Sequence, residues 1–141
     1  VFSKGNRSAA IRIPVAAVTP KGCRIEFRTP DSTSNPYLAF AGMLLAGLDG
    51  IQRKIDPRAL GYGPLDKNIY ELSEEEKREI RSVPGSLDEA LSALEADHEF
   101  LTAGGVFTEG FIENYIAFKR AEARDVAIRT HPHEYSLYFD C

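Results

Sequence analysis

Arg24, Glu26 and Arg28 stand at every second position of one short segment, with Ile25 and Phe27 between them. In extended backbone successive side chains point to opposite faces, so the three charged groups share one face and the two apolar ones the other. Guanidinium groups can fork onto phosphate or carboxylate oxygens, and a carboxylate between them can hold a hard cation such as Mg²⁺ or Mn²⁺. Spacing alone fits a solvated row of cross-strand ion pairs equally well, the commoner fate of alternating charge on a sheet face. The balance shifts with Arg12 in the preceding strand-like segment, Arg7 in the approach to it and Lys21 in the connecting turn. Five cations around one acid exceed what a neutralised surface row needs; they suit a polyanion held against a metal ion.

Two strands must position that face. Ala9, Ile11, Ile13 and Val15 alternate with Ala10, Arg12 and Pro14, the period-2 pattern of a half-buried strand over 9–18, with Pro14 putting it at an edge or bulge. Thr19-Pro20-Lys21-Gly22 is turn chemistry, and alternation resumes from Cys23 to Thr29, predicting an antiparallel pair with Ile25 and Phe27 packed beneath helices and Arg12 on the same face as the stripe.

Helices follow. Asn35-Pro36 is an N-cap with proline at the first helical position, opening an apolar segment from Tyr37 to Ile55 that should be buried on most of its circumference, with Gly42, Gly47 and Gly50 marking close packing. Residues 56–66 read as a loop. Ser73 with Glu76, and Ser86 with Glu89, match the capping-box pattern. The second opens an amphipathic helix through Leu87, Leu91, Leu94, His98 and Leu101, ended by Gly104-Gly105. Thr108 caps another helix, to about Arg124, and the stretch from Arg129 onward reads as extended. Strands first and helices after give an α+β fold, with 141 residues fitting one domain.

Composition excludes some classes. The formal net charge of −4 offers no sequence-wide positive field for nucleic acid or an anionic membrane. No apolar run reaches the roughly 18 residues of a membrane span. Cys23 and Cys141 are far apart without a CxxC partner, so reduced thiols in a cytoplasm are expected rather than a zinc site or disulfide framework. The chain opens on Val1 rather than Met, with the polar run Ser3 to Ser8 close behind, which reads as a start within a domain of a longer protein.

Separated motifs in one order carry a resemblance: Asn6-Arg7-Ser8-Ala9, Ile11-Arg12-Ile13-Pro14, Arg24-Ile25-Glu26-Phe27-Arg28, Asn35-Pro36-Tyr37, Ala46-Gly47-Leu48-Asp49-Gly50, Gly104-Gly105-Val106-Phe107-Thr108 and His131-Pro132-His133-Glu134-Tyr135. Together they resemble the C-terminal part of the catalytic domain of type I, bacterial-type glutamine synthetases, over essentially the whole of residues 1–141. That resemblance implies ATP-dependent joining of L-glutamate and ammonia through γ-glutamyl phosphate, with Mg²⁺ or Mn²⁺ and in a homo-oligomer, a dodecamer in the family. It implies that Arg7 contacts both glutamate and the transferring phosphate, that Arg12, Lys21 and Arg24 hold ATP, that Arg28 binds the glutamate carboxylate, and that Glu26 is a metal ligand.

Tyr70 matches the tyrosine that some members of the family modify with AMP, although Ser73 stands where a proline is common in modified enzymes; taken alone, Tyr70 reads as an aromatic at a loop–helix junction. His131 and His133 read as packing or hydrogen-bonding residues rather than metal ligands, and His98 as structural. The family's remaining site residues precede this stretch, so the isolated chain is expected to make no glutamine. Two other readings stay open: a glutamine-synthetase-like module for regulation or assembly, and a ligase joining glutamate to another amine. Retention of Arg7, Arg12, Arg24, Glu26 and Arg28 favours the catalytic reading over the first.

Overall fold

The computed structural model describes residues 1–16, 19–68 and 71–140, gathered into two compact units, Val1–Val83 and Pro84–Cys141. The first carries a three-stranded sheet in the order β1-β2-β3. Strand β1 (Phe2–Lys4) runs parallel to β2 (Ile11–Ile13), with Phe2 opposite Ile11, and β2 runs antiparallel to β3 (Glu26–Phe27), with Arg12 opposite Glu26. The antiparallel pair is the one the alternation predicts, and the Arg28 N–H extends it by bonding the Ala10 carbonyl at 2.8 Å. Regular pairing is shorter than the pattern implied, and Val15 is exposed.

Strand β1 was not legible, because a three-residue strand has too little alternation to register. Its parallel partner follows after residues 5–10 only, where parallel neighbours usually need a dozen or more residues to cross over. Six residues can span about 20 Å, enough to return along strands this short. The link therefore doubles back beside the sheet, and it carries Asn6, Arg7 and Ser8.

Helix α1 (Pro36–Gln52) starts where the sequence predicts: Asn35 Oδ1 accepts from the Tyr37 and Leu38 N–H groups, and Pro36 opens the first turn. Its expected burial is not observed. None of its residues is buried, and Tyr37, Phe40, Leu44, Leu48 and Ile51 are exposed. A Cβ built on Gly47 or Gly50 would meet nothing within 4 Å, so close packing does not explain these glycines here. Ile25 and Phe27, expected beneath helices, are 65% and 45% exposed. Apolarity reports how much surface needs cover, not whether these 141 residues supply it. Helix α2 (Glu74–Glu79) has the predicted reciprocal cap between Ser73 and Glu76.

In the second unit α3 (Leu87–Ala96) packs against α5 (Glu109–Ala127) through Leu91, Ile112 and Ile116, all buried. Ser86 and Thr108 cap the two helices by accepting from the Glu89 and Phe111 N–H groups. The helix expected to run on to Leu101 stops at Ala96. At 2.9 Å His98 Nδ1 takes the Leu94 carbonyl that the next helical N–H would have used, and the chain restarts as α4 (Glu99–Thr102). Gly104 and Gly105 follow with φ of 70° and 71°, the left-handed turn that glycine adopts without strain. The C-terminal stretch read as extended holds a helix, α6 (Pro132–Tyr138). There Pro132 fills the first turn, His131 Nδ1 accepts from the His133 N–H, and Glu134 accepts from the His131 N–H.

Candidate active site

The candidate site is built on the charged face of the sheet. Cross-strand register sets Arg12 opposite Glu26, and their side chains meet at 2.8 Å, with 22% and 31% of their surface exposed. Arg28, two residues along the same strand direction, lies 3.8 Å from the same carboxylate oxygen. The Arg12 hydrogen bond holds the Glu26 carboxyl below the usual carboxylate range; partial desolvation opposes this, and the charges of Arg12, Arg24 and Arg28 reinforce it. Glu26 is therefore an anion at neutral pH, and its Oε1 has no hydrogen-bond partner among the described residues.

The same two arginines hold the link between β1 and β2. Arg12 Nε donates to the Gly5 carbonyl and Arg28 Nε to the Arg7 carbonyl, each at 3.1 Å. The link thus runs along the face that bears Glu26. Gly5 turns it with φ of 81°, and its N–H bonds the Ile13 carbonyl. Asn6 closes a tight turn by accepting from the Ser8 N–H at 2.9 Å, and Ala9 returns into the core.

Arg12, Glu26 and Arg28 are thus in contact, the backbone of Arg7 joins them, and Arg24 is near enough to act on Glu26 through its charge. The Arg7, Lys21 and Arg24 side chains are exposed and form no ion pair among the described residues. Lys21 sits in the turn that the Gly22 N–H closes onto the Thr19 carbonyl, and among the described residues no ion pair joins it to the cluster. Tyr70 lies outside the described residues. The histidines serve the backbone and a neighbouring helix: His131 caps α6, and His98 binds Leu94 and, through Nε2, Glu109 at 3.0 Å.

Sequence reasoning missed Ser3, Asn6 and Asp66. The wholly buried Ser3 donates to Asp66 Oδ1 at 2.8 Å, the Lys4 N–H donates to the same oxygen at 3.1 Å, and Asn6 Nδ2 donates to the Lys67 carbonyl at 3.0 Å. A local signal existed only for Asn6, whose side chain readily bonds the backbone two residues on. Asp66 lies over sixty residues from its partners, beyond the reach of any local pattern.

A small mixed sheet followed by helices, with arginines gathered on one carboxylate beside a braced loop, defines a piece of an α+β domain with a charged sheet face. The family model described as glutamine synthetase, catalytic domain, matches residues 1–138, and the chain belongs to that family. Among curated relatives, glutamine synthetases of Nostoc sp., Microchaete diplosiphon and Mycobacterium tuberculosis are 59%, 57% and 54% identical over 99% of the chain, which spans about 29% of their length. A solved structure titled GmaS/ADP complex superposes with a TM-score of 0.76 at 34% identity, covering 100% of this chain and 29% of that one.

Proposed function

We propose that residues 1–141 are the C-terminal portion of the catalytic domain of a glutamate–ammonia ligase, and that the Arg12–Glu26–Arg28 cluster is part of its active site. The observation that carries this reading is the contact of both arginines with one ionised carboxylate, in a chain 59% identical to a glutamine synthetase. In the reaction the γ-carboxylate oxygen of glutamate attacks the γ-phosphorus of ATP, the bond to ADP breaks, and γ-glutamyl phosphate forms. Ammonia then attacks the γ-carbonyl carbon, phosphate leaves, and glutamine results.

This chain's part is to hold negative charge in place. Arg12, Lys21 and Arg24 bind the ATP phosphates, Arg28 binds the glutamate carboxylate, and Arg7 bridges glutamate and the phosphoryl group in flight. Charge on that group peaks between donor and acceptor, where preorganised cations lower the barrier most. Glu26, ionised and with one oxygen uncommitted, suits Mg²⁺ or Mn²⁺, ions that take oxygen ligands and leave room for substrate phosphates and water. No cluster of three or more metal-binding side chains occurs among the described residues, so this chain would contribute Glu26 alone. Bound metal would neutralise phosphate charge. The upstream part of the domain and a neighbouring subunit of a cytoplasmic homo-oligomer would complete the site, and modification of Tyr70 with AMP would be a means of control.

The test is steady-state kinetics of the full-length protein at varied metal, ATP and glutamate. Glu26→Ala should lower turnover roughly ten- to several-hundredfold and raise the metal requirement, whereas Arg28→Ala should chiefly raise the KM for glutamate. Wild-type behaviour of either variant would return the cluster to a row of surface ion pairs.

A further inference from the structure

The link that carries Arg7 is braced on two sides. Arg12 and Arg28 hold the Gly5 and Arg7 carbonyls from the sheet. On the other side stands a segment distant in sequence. The Phe2 N–H bonds the Tyr62 carbonyl and the Leu65 N–H bonds the Phe2 carbonyl, both at 2.9 Å, so residues 62–65 lie along β1 like an extra edge. The approach is close: a Cβ on Gly63, whose φ is 125°, would come within 2.7 Å of the Phe2 carbonyl oxygen. The next two residues reach the end of β1 and the link itself, Asp66 through Ser3 and Lys4, and Lys67 through Asn6.

Asn6 and Asp66 divide the work. Asn6 uses Oδ1 to turn the link, at the Ser8 N–H, and Nδ2 to tie that turn to Lys67. Asp66 gathers two donors on one oxygen at the point where β1 gives way to Gly5. The Ser3 hydroxyl is wholly buried, and Asp66 is its short partner; its other acceptor, the Lys4 carbonyl, lies at 3.5 Å. Without the carboxylate, the last residues before the link lose the anchor that fixes their height against residues 62–67.

We propose that Asp66, acting through Ser3, Lys4 and the Asn6–Lys67 tie, is a positioning residue for Arg7. This rests on the reading of Arg7 as the group that bridges glutamate and the transferring phosphate. Asp66 acts through backbone and Ser3, fixing where the Arg7 backbone leaves the sheet. A shift of about 1 Å in a group that must meet a phosphoryl group in transfer costs on the order of a hundredfold in rate. Of the groups given to the nucleotide, Lys21 and Arg24 stand in the turn before β3 and at its approach, and Arg12 meets the link at the Gly5 carbonyl, so nucleotide binding should change less than phosphoryl transfer.

The experiment compares Asp66→Ala, Asp66→Asn, Asn6→Ala and Arg7→Ala in the full-length protein, with rates referred to folded enzyme. Asp66→Ala and Asn6→Ala should each lower kcat about ten- to a hundredfold and raise the KM for glutamate, with the Kd for ADP moving less than about twofold. Asp66→Asn, which retains an acceptor for the Ser3 hydroxyl and the Lys4 N–H, should recover most of the loss. Wild-type kinetics in Asp66→Ala would overturn the proposal. So would parallel losses of kcat and ADP binding, or failure of asparagine to restore activity, since each marks general damage to the fold. Arg7→Ala at wild-type rate would instead overturn the role given to Arg7, whatever Asp66 does.

Discussion

Leu91→Ala probes the contact that holds the second unit together. Leu91 is 3% exposed and faces Ile112 and Ile116 across the α3–α5 contact. Full burial of a leucine side chain stabilises by about 1.5 to 3 kcal/mol, and the cavity left by truncation adds to the loss, so about 3 kcal/mol is expected. A unit of about sixty residues has about 3 to 9 kcal/mol to lose, so one methyl-rich side chain can remove a third or more of its stability. Amide hydrogen exchange resolved by peptide is the assay. Protection in 87–96 and 109–127 should fall together by about a hundredfold, following about 3 kcal/mol, while peptides of the sheet keep theirs. Val126→Ala, on α5 but 72% exposed, is the control and should move protection by no more than about 0.5 kcal/mol. Equal effects of the two substitutions, or loss confined to α3, would refute the claim that this contact is the unit's core.

Two other outcomes follow from local geometry. Both partners of the His98 ring nitrogens, the Leu94 carbonyl and the Glu109 carboxylate, are acceptors, so the imidazolium alone can donate to both; the Leu94 bond, reinforced by Glu109, raises the His98 pKa against desolvation. A raised folded pKa means the stabilisation is fully present below the unfolded value and is lost as pH rises through the folded one. Exchange protection of the first turn of α5 should therefore weaken as pH rises and the imidazolium is lost, and His98→Gln should flatten that dependence; an unchanged profile would count against the imidazolium. At α1, Asn35→Ala removes the acceptor for two N–H groups and should cost about 1 kcal/mol, read as faster exchange at Tyr37 and Leu38.

Features set by neighbours in the chain were legible beforehand. Caps at Asn35, Ser73, Ser86 and Thr108 are decided within three residues, and Arg12 met Glu26 because strand period and a short turn leave few registers. What failed depended on distant or absent surfaces. The pairing of β1 is non-local, and the break at His98 comes from a ring nitrogen competing with a backbone N–H. Among the described residues α1 has no buried residue, and Ile25 and Phe27 stay exposed. Helix α6 is a different failure, because His131-Pro132 with Glu134 is an N-terminal signal that aromatic content obscured. In the site, the arginines and Glu26 announced themselves by type and spacing, whereas Asp66 is one unremarkable acid until the fold brings Ser3 to it.

The forked shape of arginine gives the charged face a property that charge alone does not capture. Arg12 turns Nε toward the Gly5 carbonyl and Nη1 onto Glu26 at 2.8 Å, and Arg28 turns Nε toward the Arg7 carbonyl and leaves Nη1 3.8 Å from Glu26. Each side chain is a two-armed bracket, one arm fastening backbone and the other meeting the carboxylate. A lysine would keep the positive charge but concentrate it at one ammonium on a flexible stem, without the rigid fork that holds two directions at once. The tongue of backbone and the carboxylate beneath it are thereby locked to a common frame, so drift in either is carried to the other.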